Sequence, residues 1–223
     1  MLLHSTPVTS KAERPVRPAS ACALAFLSFL CSPAAAQAEA RRFVIDPPRS
    51  RILVHVGKAG LFKFAGHEHD VVAPLRDGEV LADPSNLALS SVRLSFDATA
   101  IRLDAEHETP ADIAPIQDTM AGPGVLDVLR FPRITFESDK VSGRELSRGV
   151  FELTVGGLMA IRDHKERLTL TVRAEIQGDT LVCTGTTSLH QSAFGITPVS
   201  VAGVVKVKDE LAVDFHFEGR SPP

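Results

Sequence analysis

Apolar and polar residues alternate with a period of two through most of the second half of this chain. In the segment from Leu168 to Ile176 every second residue is apolar, and threonines or charged residues stand between them. That period is what a β-strand needs when one face meets an apolar interior and the other face meets water. The pattern therefore predicts an antiparallel β protein.

Ten segments carry enough of this signal to be predicted as strands. The stretches 177–179 and 208–210 are predicted as hairpin turns between them. Residues 104–129 break the alternation, and they predict a short helix near 111–121 that ends at Gly122. Eight or more strands are typical of a closed barrel or of a two-sheet sandwich. The predicted strands are 43–46, 51–56, 71–81, 91–101, 133–141, 149–161, 168–176, 180–190, 204–208 and 211–218.

The first 38 residues have the pattern of a signal peptide. Lys11, Arg14 and Arg17 precede an apolar run at 21–31, and small residues suited to cleavage follow within 36–38. The alternative is a buried N-terminal helix. The run is too short to span a bilayer comfortably and no second run is long enough, so we expect no stable membrane insertion. The mature chain is expected to be one domain, 39–223.

Composition narrows the classes of partner. The formal charge of the chain is −3, which argues against a nucleic-acid backbone as a partner. Cys22 and Cys31 lie in the presumed signal peptide, so Cys183 stands alone and is predicted to be a small buried apolar residue. Tyr and Trp are absent, and all 12 aromatic residues are Phe. Any lumen would therefore favour aliphatic guests over sugars or other polar ones.

The histidine pair in segment 66–70, Gly-His-Glu-His-Asp, is the sharpest local motif. On an extended backbone His67 and His69 point to the same side, where two imidazoles can share one metal ion. One alternative is a polar barrel rim whose imidazoles bond to backbone or water. Another is that they bind the phosphate or quinone head of an amphiphile. A zinc or copper site would need a third ligand, for which the candidates are His190, His164, His55 and His107.

Catalytic motifs are absent from the sequence. It has no Gly-x-Ser-x-Gly elbow, Gly-rich phosphate loop, Cys-x-x-Cys pair or dinucleotide fingerprint. Ser192 stands close to His190 in the chain, but this proximity is no sign of a catalytic pair without the elbow. We therefore expect a protein that is not an enzyme.

Several short segments, in their order along the chain, resemble the YceI-like, lipocalin-like periplasmic proteins. The resemblance implies an extended antiparallel β-barrel of about eight strands with a long apolar pore. It also implies a periplasmic location, binding of isoprenoid-type or other long-chain amphiphiles, and no established catalytic activity. The segments that carry it are 43–46, 50–54, 120–128, 131–138, 157–162, 192–196 and 207–211.

Together these observations predict a periplasmic carrier that holds a long apolar molecule inside an all-β, lipocalin-like barrel. The polar head would lie near His67, His69 and His190. The alternatives are a metal-binding protein built on the same three histidines, a possible metalloenzyme, and a module that binds another protein through a sheet edge or the acidic segment 104–118. The sequence leaves open whether the protein forms a homodimer. The expected lining is Phe62, Phe64, Phe136, Leu170, Val172, Leu181, Phe194, Val213, Phe215 and Phe217.

Overall fold

The computed structural model describes residues 40–59, 69–104, 110–201 and 205–222. All of them belong to one compact unit, Gln37–Pro223. Short 3-10 turns lie at Pro47–Arg49, Leu87–Leu89, Ala98–Ala100 and Gln191–Phe194. The strands and the helix within the described ranges are β1 (Arg41–Ile45), β2 (Arg51–Val56), β3 (Lys58–Ala59), β4 (His69–Val72), β5 (Leu75–Ala82), β6 (Ser91–Asp97), β7 (Arg102–Leu103), α1 (Pro110–Ala121), β8 (Arg133–Ser147), β9 (Val150–Ile161), β10 (His164–Gln177), β11 (Thr180–His190), β12 (Ser200–Val201), β13 (Val205–Val207) and β14 (Glu210–Arg220).

Eight of these strands close into an antiparallel barrel. Their order is β1-β5-β6-β8-β9-β10-β11-β14, and pairing of β14 with β1 completes the ring. The closing register sets Val44 opposite Arg220 and Ile45 opposite Gly219. Further along β14 its partner is β2, which carries β4 and β7 beyond it. The prediction of an all-β, lipocalin-like barrel of eight strands with one helix is confirmed.

One predicted turn and the predicted end of the helix are observed, whereas one predicted strand and a second predicted turn differ from the structure. Gly178 supplies the positive φ, 59°, that the turn between β10 and β11 requires, and α1 ends at Ala121 as the sequence indicates. The predicted strand 71–81 is instead two strands, since Pro74 has no N–H to donate to a ladder. The segment 208–210 is not a hairpin turn, because β13 pairs with β12 and β3 in a separate sheet.

Apolar residues of the alternating strands point into the barrel. On β10, Leu168, Leu170, Val172 and Ala174 are all buried, as the period of two predicts. The helix α1 is tied to the barrel by Gln117, whose side chain accepts from the backbone N–H of Leu103 at 3.1 Å and donates to the Ile101 carbonyl at 2.7 Å. No helix among the residues that the structure describes is long and apolar enough to cross a membrane.

Candidate functional site: an apolar cavity in the barrel

A cavity of about 420 Å³ lies inside the barrel. The strands that line it are β2, β4, β6, β7, β8, β9, β11, β13 and β14, together with α1, the turn that follows α1 and the 3-10 turn Gln191–Phe194. The volume falls in the range of small-molecule binding sites, about 300–1,000 Å³. Four polar side chains occur in a wall that is otherwise apolar: His69, Thr119, Thr187 and Gln191.

Three of these four side chains already have backbone partners. The hydroxyl of Thr187 donates to the Thr169 carbonyl at 3.1 Å, and the hydroxyl of Thr119 donates to the Pro115 carbonyl at 2.8 Å. The amide nitrogen of Gln191 donates to the Lys208 carbonyl at 2.8 Å. Because these donors are engaged, the wall offers a guest mainly apolar contact, which favours a hydrocarbon over a polar molecule.

A second, smaller cavity of about 70 Å³ occupies another part of the interior. Its wall includes Cys183 and two phenylalanines, Phe215 and Phe217, whose rings stack with centroids 5.3 Å apart. Burial raises the pKa of the Cys183 thiol to about 12, because low polarity disfavours the thiolate. Cys183 is partly buried and lines this cavity, and a neutral thiol there agrees with its interpretation as a small apolar residue.

The sequence-predicted lining residues divide between these cavities. Phe194 and Val213 line the larger one, whereas Phe136 is fully buried and lines neither. The predicted lining residues thus border two cavities of different size. Phe62 and Phe64 lie outside the described residues. The predicted residues that line the smaller cavity are Leu170, Val172, Leu181, Phe215 and Phe217.

The three histidines proposed for the head group do not all meet at the larger cavity. His69 lies in its wall. His190 is exposed, and it follows Leu189, which faces the cavity, so the alternation of β11 turns His190 to the outer face. His67 lies outside the described residues. The structure therefore brings one of the three, His69, to the cavity.

Sequence reasoning missed the part of the wall that comes from α1 and its following turn. Ile116 and Met120 of the helix and Val125 and Leu126 of the turn line the larger cavity. The available signal was the spacing of Ile116 and Met120, four residues apart, which places both on one helix face. The helix near 111–121 was predicted, but the polar residues around Ile116 and Met120 hid the face that it turns to the interior.

His55, one candidate for a third metal ligand, is held by two carboxylates. Its Nδ1 lies 2.7 Å from Oδ1 of Asp70, and its Nε2 lies 3.0 Å from Oδ2 of Asp214. The hydrogen bond with Asp214, supported by that with Asp70, raises the pKa of His55, although partial burial opposes the shift. This bridge ties β2 to both of its neighbouring strands.

No group of three or more His, Cys, Asp or Glu side chains suited to a metal ion occurs in the part of the chain that the structure describes. The metal hypothesis also needs His67, which is not in that part. It therefore stays a prediction.

Comparison with known proteins finds a matching family model and solved structures with a similar fold. The family model of the YceI-like domain matches residues 43–219. The crystal structure of BcnA from Burkholderia cenocepacia is similar with a TM-score of 0.60 and 20% identity, over 78% of this chain and 98% of that one. A YCEI protein of Campylobacter jejuni matches with a TM-score of 0.49 and 13% identity, over 68% of this chain and 85% of the other. No curated protein matches.

Proposed function

This chain belongs to the YceI-like family, and we propose that it is a periplasmic carrier for an isoprenoid-type or other amphiphilic lipid. The observation that carries the proposal is the apolar cavity of about 420 Å³ lined by barrel strands and α1. Export by a signal peptide at 1–38, and binding without a catalytic step, are parts of the same proposal.

Transfer of a hydrocarbon tail out of water supplies the binding free energy. Each buried methylene contributes about 0.8 kcal/mol, so ten of them contribute about 8 kcal/mol. Loss of translational freedom and ordering of the tail oppose this gain by several kcal/mol. The net binding free energy is therefore a few kcal/mol smaller than the gain, which corresponds to the reversible binding that a carrier needs. In this proposal the polar head lies at the His69 side of the cavity, with His67 as its second contact.

The test begins with the protein purified from its native host. Organic-solvent extraction and mass spectrometry should recover close to one lipid per protein. Val213→Phe puts a larger side chain into the cavity wall, and we expect it to lower that occupancy. Val44→Phe is the matched control, because Val44 is 48% exposed on the outside of the barrel.

Added isoprenoid gives a second measurement. A ligand that binds only the folded protein stabilises it by about 2.7 kcal/mol at a concentration of 100 times Kd. Thermal unfolding of wild type and Val44→Phe should therefore shift upwards, and that of Val213→Phe should shift less. Absence of any stoichiometric lipid, together with no thermal shift for wild type, would exclude the carrier function.

A further inference from the structure

A helix takes the place of a strand in the wall beside the larger cavity. Strand β7 stands last in the order of its sheet, and among the described residues no strand pairs with its second edge. The side chain of Gln117 in α1 bonds to this edge instead. It accepts from the N–H of Leu103 and donates to the carbonyl of Ile101. A neighbouring strand would bond to backbone groups of this kind, so α1 stands where the next strand of the wall would be.

The helix and the turn after it form one body, residues 110–131, which we call the helix–turn unit. A backbone hydrogen bond of 3.1 Å from the N–H of Val128 to the carbonyl of Ala121 joins the turn to the end of the helix. Just beyond the unit, the carbonyl of Pro132 accepts from the N–H of Ala98 at 3.0 Å. The backbone is therefore anchored to the barrel where the unit ends.

Two side chains make the hydrogen bonds between the helix–turn unit and the barrel, within the ranges that the structure describes. One is Gln117. The other is Arg162, in the turn after β9, which donates to the Val125 carbonyl at 3.3 Å and lies 6.0 Å from the centre of the Phe131 ring. Arg162 has a positive φ of 57°, and its Nε is buried without a partner in the described part of the chain. Such a backbone conformation is costly for a residue other than glycine, so the tie at Arg162 is the weaker of the two.

The inner face of the helix–turn unit lines the cavity and does not pack against another element. Its side chains there are Ile116, Met120, Val125 and Leu126. Side chains that border a cavity make fewer dispersion contacts with the rest of the protein than fully packed ones. Pro115 inside α1 also removes one backbone hydrogen bond from the helix. Segments held by few contacts open locally at a much smaller free-energy cost than global unfolding.

We propose that the helix–turn unit is a gate, and that an amphiphile enters and leaves the larger cavity through the gap beside β7 when the hydrogen bonds of Gln117 break. This inference rests on the proposed carrier function and adds the route to its site. The gate closes over both the free and the loaded cavity. Weaker closure should therefore speed entry and release by similar factors and leave the affinity nearly unchanged.

The first experiment measures the binding of an apolar fluorescent probe, N-phenyl-1-naphthylamine, by stopped flow. Gln117→Met keeps the length of the side chain and removes both hydrogen bonds to the edge of β7. Loss of two such bonds should raise the association and dissociation rates by about tenfold each, with Kd within about twofold of wild type. Gln177→Met is the matched control, because Gln177 is exposed at the end of β10. Its rates should equal those of wild type.

The second experiment locks the gate and leaves Gln117 in place, so it stays informative if Gln117→Met fails to fold. Arg102→Cys/Ala114→Cys puts thiols at two exposed positions, one beside Leu103 on β7 and one a helical turn before Gln117. A short bis-maleimide should join them, as checked by intact mass. Probe uptake and release should then be at least tenfold slower than before crosslinking. Wild type treated with the same reagent should keep its rates.

The outcomes separate the gate from the carrier function. Uptake and release unchanged by the crosslink would overturn the gate and leave the carrier function standing. Wild-type rates in folded Gln117→Met would do the same, as would a weaker affinity with no faster association. Failure of wild type to bind the probe at any concentration would overturn the apolar carrier itself, and this inference with it.

Discussion

Replacement of Gly185 by alanine tests the close packing on which the barrel interior depends. The added methyl group would lie 2.6 Å from Cζ of Phe215 and still closer to the carbonyl oxygen of Thr171. The ring could shift by a small amount, but the carbonyl belongs to the ladder between β10 and β11, in which Val172 lies opposite Gly185. Extra methyl groups in packed interiors cost about 1–3 kcal/mol, and we expect the upper end because a backbone atom is involved.

For a domain of this size, about 3 kcal/mol lowers Tm by about 6–12 °C. Far-UV circular dichroism is the suitable assay, because the chain has no Trp or Tyr to report unfolding by fluorescence. Gly124→Ala is the matched control, since a Cβ at Gly124 would meet no atom within 4 Å. That variant should gain up to about 1 kcal/mol, because alanine reduces the freedom of the unfolded chain. A Gly185→Ala protein that melts with the wild type would refute the close approach of Phe215 and Thr171 to Gly185.

Three further predictions concern side chains that titrate or bind metal. Because the pKa of His55 is raised, its stabilisation is present below the unfolded pKa, about 6.5, and disappears as pH rises through the folded pKa. The loss of stability in His55→Asn should therefore be larger at about pH 5.5 than at about pH 8.5 by urea unfolding, and equal losses would contradict this. Cys183, with a pKa of about 12, should resist iodoacetamide in the native protein and react in urea, as read by peptide mass spectrometry. For the metal hypothesis, a His67→Ala/His69→Ala variant should lose zinc or copper measured by elemental analysis, whereas metal content equal to that of wild type would exclude a site there.

The alternation of residues was sufficient to predict most of the barrel wall. On β10, and on β11 from Thr186 to His190, the predicted faces and the observed burial agree, because a strand that separates water from an apolar interior has only two sides. The break at Pro74 was less visible, since apolar residues continue across it. The segment 208–210 has the composition of a hairpin turn, but composition does not say which strand is the partner on each side.

The apolar nature of the candidate site was predicted from the sequence, but the location of its residues was predicted only in part. Period-two reasoning selects Val213 and Phe217 alike as inward-facing, yet they line different cavities. The difference depends on their level along the barrel, which the closing register between distant strands decides. His190 was expected near the polar head, whereas its parity on β11 turns it outward.

The sequence by itself determined that this chain is an antiparallel β protein with an apolar interior whose only aromatic residues are phenylalanines, since local periodicity and the absence of Tyr and Trp require no knowledge of distant contacts. Only the tertiary structure decided how that interior is divided. Gly157 and Phe136 come from the paired strands β9 and β8, and Gly185 and Phe215 from the paired strands β11 and β14, so each ring meets its glycine only when those strands pair. Whether apolar side chains fill a space or leave it open depends on such contacts between strands, because protein interiors pack at crystal-like density.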